Sequence, residues 1–328
     1  MKLKHGFMWA MLAAVVLAGL RPELGTDTGA LHLGAGLKAG IALLFFLNGA
    51  SISIEKLKEG ASNWQLHATV QSCTYLYFPL LGLIIVAAAQ DHLPPDLQLG
   101  ILYLSVLSSA VSSSVAMTAL ARGNVSAAIC SATLSTLLGL ILTPLWISLM
   151  VHARTSAPPL GSALQDIFVQ LLLPFALGQA TRPLTSGLLT RHRAVVSRVD
   201  RTVILLIVYN AFCDSTQAGV WRDNGWTVVL AVIAVDVILL AVVLASATFA
   251  ARRLGFDQAD EAATVFCASK KSVINGIPMA KLIFGSAHSL GLILLPVMIY
   301  HQIQLIVCAF LARSYASSAA HPAGSSSA

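Results

Sequence analysis

Apolar stretches long enough to cross a lipid bilayer recur along the whole chain, and this pattern limits the folds that it can adopt. A membrane-spanning helix needs about 20 consecutive, mostly apolar residues. Of the 328 residues, 57% are hydrophobic and 10% are charged, whereas typical soluble domains contain about 25% charged residues. The sequence therefore predicts an all-α polytopic membrane protein that folds as a helical bundle in lipid.

We predict ten spans, the first of which is an uncleaved helix rather than a signal peptide. Its apolar run ends in Leu20-Arg21-Pro22 without a small-residue cleavage site, and further spans follow. The five cysteines all fall inside spans, which indicates packing thiols rather than disulfides or a metal site. The predicted spans are residues 6–20, 31–51, 65–89, 98–120, 125–151, 163–183, 201–217, 226–250, 260–283 and 287–312.

The basic residues lie mostly in the loops on one side of these spans. In bacterial and other membranes, cytoplasmic loops carry the excess of Lys and Arg, so both termini are predicted to be cytoplasmic and the net charge of +6 reflects topology, not nucleic-acid binding. Residues 316–328 are small and polar and are predicted to form a disordered cytoplasmic tail. Thirteen basic residues fall on one side (Lys2, Lys4, Lys56, Lys58, Arg122, Arg182, Arg191, Arg193, Arg198, Arg201, Arg252, Arg253, Arg313) and three on the other (Arg21, Arg154, Arg222).

The second half of the chain repeats features of the first at an offset of about 162 residues. Asn48 returns as Asn210, and SVAMTALARG (114–123) is matched by GIPMAKLIFG (276–285). Each half contains five spans, an odd number, so the second half inserts upside down relative to the first. We therefore predict two inverted five-helix repeats, residues 1–160 and 161–315, which is the architecture of many secondary transporters.

Two spans in corresponding positions of these repeats, the fourth and the ninth, contain residues that interrupt helices. The ninth contains Gly276 and Pro278, and proline removes a helix hydrogen bond and clashes with the preceding turn. The fourth contains a serine cluster around Ser113, whose hydroxyls compete for backbone groups. We predict helix breaks at these three residues, with a binding site near the midplane where the broken helices meet.

Lys270 and Lys271 lie in the ninth span, next to the predicted break. A charged side chain near the bilayer centre costs roughly 2.5–3.5 kcal/mol on insertion scales, so the pair marks a candidate site. Burial favours the neutral form of a lysine, and the pair can therefore carry one exchangeable proton. The alternative is that a lysine only bonds carbonyls of the broken helix. Adjacent residues differ by about 100° around a helix and should not share a role.

Four segments resemble the bile acid:sodium symporter superfamily, in particular a bacterial branch related to the seventh human member of the bile acid transporter family. The similarity covers residues 7–315, and the string K-S-x-x-x-G-I-P-M at 271–279 is typical of that branch. It implies ten spans with crossed fourth and ninth helices. The four segments are LLFFLNGASIS (43–53), MTALARGNVSAAICSATLSTLLG (117–139), FCASKKSVINGIPMAKLIF (266–284) and LPVMIYHQIQL (295–305).

The resemblance also implies a sodium site, but most of its ligands are changed in this sequence. The family's serine in the fourth span falls on Ser114, its glutamine in the third falls near Thr74, and its fifth-span hydroxyls fall on alanines beside Ser131 and Thr133. Its ninth-span glutamate falls on Lys270, so an ammonium replaces a carboxylate that binds a cation. The candidate ion-coupling residues are thus Lys270, Lys271, Ser114, Ser131, Thr133 and Thr74.

An ammonium at this position brings its own positive charge, so sodium is not required there. We therefore predict coupling to protons, or no coupling, in preference to Na⁺, and no metal or other cofactor. Helical spacing favours Lys271 as the lysine that faces the cavity, since it shares a polar stripe with Asn275. The alignment with the family's glutamate favours Lys270, and both assignments remain open at this stage.

Isolated polar residues in other spans are candidate contacts for a solute. Asp214 lies four residues after Asn210, on the same helix face, although it can also be a span-end residue that meets water. His301 is a candidate as well, with packing as the alternative role. The candidate solute-binding residues are Asn48, Asn210, Asn275, Asp214 and His301.

The sequence favours a secondary active transporter over two other classes of membrane protein. We expect a small organic solute, an anion if the resemblance holds, moved by alternating access across the bacterial inner membrane. The first rival is a non-transporting regulator or sensor that keeps the fold. The second is an intramembrane enzyme, which is disfavoured because HExxH, GxSxG and paired-carboxylate patterns are missing. The expected partners are the solute and the bilayer, and the oligomeric state is left open.

Overall fold

The computed structural model describes residues 2–26, 29, 33–52, 63–89, 91–152, 160–285 and 289–320. All regular elements in these ranges are helices, in agreement with the predicted all-α class. In chain order they are α1 (Lys2–Leu20), α2 (Pro22–Gly25), α3 (Leu33–Ser51), α4 (Trp64–Ala89), α5 (Pro95–Val106), α6 (Val111–Leu120), α7 (Val125–His152), α8 (Leu160–Arg191), α9 (Arg193–Gln217), α10 (Val220–Arg253), α11 (Gln258–Ser269), α12 (Val273–Phe284) and α13 (Leu290–Ala320).

The helices pack as two groups that meet along α9, α12 and α13. One group, the scaffold group, consists of α1, α2, α3, α8 and α9, in which α8 packs along α3 and α1 packs along α9. The other, the crossing group, consists of α4 to α7 and α10 to α13, in which α13 packs on α5 and α10 packs on α11 and α13. Buried apolar side chains from both groups form one continuous core, which includes Leu44, Ile101, Ile207 and Ile293.

Small residues let helix backbones approach closely inside the scaffold group, as is common between membrane helices. Gly178 of α8 lies directly against the Phe46 carbonyl oxygen of α3, and Gly49 of α3 lies against the Phe175 carbonyl oxygen of α8. A Cβ atom at either glycine would overlap these carbonyls. The reciprocal contacts fix the spacing of α3 and α8.

Two helix pairs in the crossing group are interrupted at corresponding positions. The axis bends by 56° between α5 and α6, where Leu107–Ala110 are not helical. A second interruption, at Lys270–Ser272, separates α11 from α12. The helices that follow the two gaps begin at Val111 and Val273, which are 162 positions apart, as in the repeat seen in the sequence.

The breaks do not lie at the residues that we predicted. Ser113 lies inside α6, and Gly276 and Pro278 lie inside α12. Ser272 ends the second gap instead, because its hydroxyl oxygen caps α12 by accepting a hydrogen bond from the Asn275 backbone N–H at 3.3 Å. Membrane helices tolerate prolines when neighbouring groups satisfy the freed carbonyls, and α7, α8 and α13 also continue through prolines.

Within the described ranges, four helices are long and apolar enough to cross a membrane: Trp64–Ala89, Val125–Met150, Gly225–Arg253 and Leu290–Ser317. The bent pair α5–α6 adds a fifth if it is counted as one span. The chain is thus a multi-pass membrane protein, and the count of ten spans stays a prediction. The end of the chain differs from our expectation, since α13 continues to Ala320 and residues 316–320 are helical. Alanines favour this extension; residues 321–328 lie outside the described part.

Candidate functional site

The two interrupted segments lie against each other and satisfy each other's backbone groups. The Ser272 backbone N–H donates to the Ser108 carbonyl oxygen at 2.9 Å, which joins the two gaps directly. The Ser109 hydroxyl donates to the Cys267 carbonyl oxygen at 2.7 Å, and the Ser114 hydroxyl donates to the Phe266 carbonyl oxygen at 3.1 Å. Serines are therefore concentrated here because they replace helix hydrogen bonds that the gaps remove.

The Lys271 side chain lies at the centre of this crossing and is buried, with 1% of its surface exposed. Its Nζ donates to the carbonyl oxygens of Leu107 at 2.8 Å, Ser105 at 2.9 Å and Thr74 at 3.3 Å. The same Nζ lies 3.9 Å from the ring centroid of Phe78, a cation–π contact. A protonated lysine has three N–H donors, and three carbonyl acceptors match that number.

The carbonyl acceptors are available because of two local features of the backbone. Ser105 and Leu107 lie at the C-terminal end of α5, where carbonyls lack helical partners and the helix dipole is negative. Thr74 lies in a π-helical turn, Cys73–Tyr77, in which the Phe78 N–H bonds the Cys73 carbonyl instead. The next residue, Pro79, has no N–H to offer. The Thr74 carbonyl is thereby released to Lys271.

A glutamine from α13 fixes the backbone of Lys271. The Lys271 N–H donates to the Gln304 Oε1 at 2.9 Å, and the Gln304 Nε2 donates to the Lys271 carbonyl oxygen at 3.0 Å. The same Nε2 lies 3.0 Å from the His301 Nδ1. The ring nitrogen therefore accepts, which assigns the proton of a neutral His301 to Nε2. His301 is partly exposed at the edge of this network.

The structure separates the environments of the two lysines. Lys270 is fully buried, but it interacts electrostatically with Cys267, His301 and Cys308, which is the side of α11 and α13. Lys271 instead reaches α4 and α5. Both residues lie in the non-helical gap, and Lys270 has an extended backbone, in which successive side chains point in opposite directions. They therefore have different surroundings, for a reason other than the helical spacing that we assumed, and the lysine that occupies the carbonyl cluster is Lys271.

The predicted hydroxyl ligands are all buried but are not gathered around one point by their side chains. Thr74 contributes its carbonyl to Lys271, while its hydroxyl donates to the Val70 carbonyl oxygen of the preceding turn at 2.8 Å. Ser131 lies on α7, with its Oγ 3.2 Å from the His67 Nδ1. Thr133 is buried on the same helix. Among the described residues, no cluster of three or more His, Cys, Asp and Glu forms a metal site.

The three asparagines among the candidate solute contacts lie in a second region, between the scaffold group and α12, whereas His301 lies in the network of Gln304. The Asn48 Nδ2 donates to the Asn275 Oδ1 at 3.3 Å. The Asn210 Nδ2 donates to the Gly25 carbonyl oxygen, and its Oδ1 accepts from the Lys281 Nζ, both at 2.8 Å. The two asparagines related by the repeat therefore both face α12, one near its start and one near its end.

Asp214 lies one turn beyond Asn210 and is partly exposed. Sequence reasoning did not select Lys281 or Phe78 for the site. The signal for Lys281 was a further basic residue in an apolar segment, whereas Phe78 looked like any core aromatic residue. The carbonyl oxygens of Ser105 and Leu107 belong to the backbone, so the identity of the residue gives no indication of their role.

Comparison with known proteins gives a consistent identification. The model of the SBF-like CPA transporter family matches residues 5–317. An uncharacterized protein of Pseudomonas aeruginosa is 42% identical over 314 residues, which covers 96% of this chain and 93% of that one. A protein of Escherichia coli K12 named "Putative symporter YfeH" is 44% identical over 280 residues, 84% of this chain and 83% of that one. Sodium/bile acid cotransporter 7 of Rattus norvegicus is 30% identical over 311 residues, 93% of this chain and 90% of that one.

These matches cover nearly the whole chain, including both interrupted helix pairs, and the proteins named for an activity are transporters rather than enzymes. They agree with the resemblance seen in the four sequence segments. The chain therefore belongs to the SBF-like CPA transporter family.

Proposed function

We propose that this protein is a secondary active transporter of a small organic solute, built as two inverted repeats of five spans with both termini in the cytoplasm of a bacterium. The family supports a transport activity. The matched positions of the two helix gaps support the inverted repeat, since discontinuous helices in corresponding positions are typical of such transporters. The excess of basic residues in alternate loops supports the orientation in the inner membrane.

The observation that carries the mechanism is the position of the Lys271 ammonium. In transporters with discontinuous helices, unwound carbonyls and the C-terminal ends of half-helices coordinate sodium. Here the carbonyls of Ser105, Leu107 and Thr74 accept hydrogen bonds from Lys271 instead. A sodium ion and this ammonium cannot use the same oxygens at once. Lys271 is a built-in cation, and coupling to protons, or none, is favoured over coupling to sodium.

The solute site of this proposal lies between the scaffold group and α12. Asn48, Asn275 and Asn210 supply amide groups there, and Lys281 supplies a positive charge. A cation next to amides suits an organic anion, and one relative is named as a bile acid cotransporter. Movement of the crossing group against the scaffold group would expose this region to the two sides of the membrane in turn.

Protonation can be coupled to this movement through titratable groups near the crossing and in the solute region. Lys270 and His301 lie on the α13 side of the crossing, and Asp214 lies beside Asn210. Each can gain or lose a proton while Lys271 keeps the carbonyl cluster occupied. The proposal thus assigns the fixed charge to Lys271 and the exchangeable proton to one of these other groups.

The experiment is uptake from a bacterial metabolite extract into proteoliposomes that contain the purified full-length protein. An imposed pH gradient should drive accumulation of one or a few anions, as measured by mass spectrometry, and a sodium gradient of the same size should not. Empty vesicles provide the control. Accumulation that needs sodium would contradict the assignment of Lys271, whereas a solute that binds without any accumulation would favour the regulator or sensor.

A further inference from the structure

Two neighbouring grooves run along α10 on either side of Phe249. The first has a volume of about 870 Å³ and lies between α4 and α10, where Leu76, Tyr77 and Ala245 line it. The second has a volume of about 510 Å³ and lies between α10 and α13, where Ala245 and Leu311 line it. Ala245 and Phe249 border both grooves. Their walls are mostly apolar, and Phe249 is 61% exposed.

The second groove leads toward the basic end of α10. Arg252 lines the second groove, and the Arg253 guanidinium lies 5.0 Å from the ring centroid of Phe249. Glu261 pairs with Arg252 at 3.1 Å, and the exposed Asp257 begins the next helix. Arg253 is exposed and contacts the ring of Phe249, the residue that borders both grooves.

We propose that these grooves bind one anionic phospholipid, whose acyl chains lie on either side of Phe249 and whose phosphate lies beside Arg253 and Arg252. Two apolar grooves that share Phe249, with the guanidinium groups of Arg252 in one groove and Arg253 on the Phe249 ring, are complementary to an amphipathic anion. In the orientation proposed above, this end of α10 faces the cytoplasm, where a basic site between helices is a recognised place for anionic headgroups. A second protein would cover the grooves equally well but gives no reason for arginines at one end only. The inference does not depend on the transported solute or its coupling.

The test is lipid binding to the full-length protein in detergent, measured by native mass spectrometry and by the shift in Tm. The probes are phosphatidylglycerol and phosphatidylcholine with identical acyl chains. Phosphatidylglycerol should bind at least fivefold more tightly, and Arg253→Gln should remove about fivefold of that affinity, since one basic residue at an anionic membrane surface contributes on this scale. Arg191→Gln, an exposed arginine at the end of α8, should change nothing.

A second variant tests the position of the chains. Ala245→Trp fills both grooves from the lipid-facing side of α10 and should abolish the phosphatidylglycerol-dependent Tm shift. Val237→Trp, at a position on the same helix that is 47% exposed and outside the grooves, should leave it intact. If Ala245→Trp lowers the Tm before lipid is added, Ala245→Leu replaces it. Equal binding of the two lipids, or a preference that survives both Arg253→Gln and the Ala245 variants, would overturn the proposal.

Discussion

The Lys271 Nζ donates to the Leu107 carbonyl oxygen at 2.8 Å. The lysine in the gap between α11 and α12 therefore bonds a carbonyl at the C-terminal end of α5. The contact joins the two gaps together with the hydrogen bond from Ser272 to Ser108. A buried charge is tolerated only when hydrogen bonds compensate its loss of water. Here the end of α5 and the π-helical turn in α4 supply this compensation, and the lysine in turn satisfies carbonyls that would otherwise be unpaired.

Lys271→Ala should create a sodium-binding site that the natural protein does not have. The change leaves three buried carbonyls without their donor, and each unsatisfied group costs about 1–3 kcal/mol. The Tm should therefore fall strongly in choline chloride and recover in part in sodium chloride at equal ionic strength. The wild-type Tm should be the same in both salts. Lys281→Ala serves as the control, because its ammonium bonds a side chain elsewhere.

The opposite pattern would show that sodium has its own site beside the lysine. In that case sodium would stabilise the wild-type protein, and Lys271→Ala would remain as sensitive to sodium as the wild type. Uptake in proteoliposomes would also depend on sodium.

Asn48→Leu should weaken solute binding with little loss of stability, because Asn48 is partly exposed and makes one long hydrogen bond, 3.3 Å, to Asn275. Loss of a hydrogen bond to a solute reduces affinity by about fivefold to tenfold. Asn210→Leu should have the same effect and also lower the Tm, since it removes the bond to the Gly25 carbonyl. Stabilisation by the accumulated solute measures both effects. Thr190→Leu, on the exposed face of α8, is the control and should bind the solute normally. Normal solute binding by both asparagine variants would show that the solute site does not include Asn48 or Asn210.

Two glycines in α8 should respond in opposite ways to alanine. Gly178→Ala places a Cβ against the Phe46 carbonyl of α3 and should lower the Tm by separating the two helices. Gly187→Ala meets nothing within 4 Å and should raise stability slightly, by up to about 1 kcal/mol, since alanine has the higher helix propensity. Similar Tm changes in the two variants would mean that α3 and α8 do not pack at this distance.

Asp200, which precedes the predicted seventh span, should make stability depend on pH. Burial raises the pKa of its carboxyl from 3.8 to about 6, against the opposing effect of Arg201. The folded protein then binds this proton more tightly than the unfolded chain does, so stability should fall as the pH rises from about 4 to 6 and then level off. Asp200→Asn should be more stable than the wild type at pH 7, and this difference should vanish below pH 4. A pH-independent difference between the two proteins would contradict the shifted pKa.

Cysteine labelling can test the orientation of the repeats in intact cells. In a background without the native cysteines, Arg193→Cys should react only after the membrane is made permeable, because cytoplasmic positions are shielded from impermeant reagents. His92→Cys, in the loop before α5, should react from outside. Reaction of both positions from the same side would contradict the arrangement of ten spans in inverted repeats.

The sequence by itself determined the solvent and the all-helical class. Only 10% of the residues are charged, and apolar stretches of membrane-spanning length recur along the chain, so lipid is the consistent environment. An offset of 162 residues relates Asn48 to Asn210. These features are local or periodic, so they can be read along one dimension. The same reasoning found both interrupted helices, because clusters of serine, glycine and proline mark them.

Only the tertiary structure decided where the interruptions lie and which lysine fills them. Pro278 looked like the break, but α12 continues through it, since membrane helices tolerate proline where surrounding protein groups can satisfy the freed carbonyl. Lys270 and Lys271 are equivalent in composition, and only the path of the chain turns one toward α13 and the other toward α5. The oxygens that receive Lys271 belong to the backbone, which every residue has, so only the folded arrangement of helix ends could reveal them.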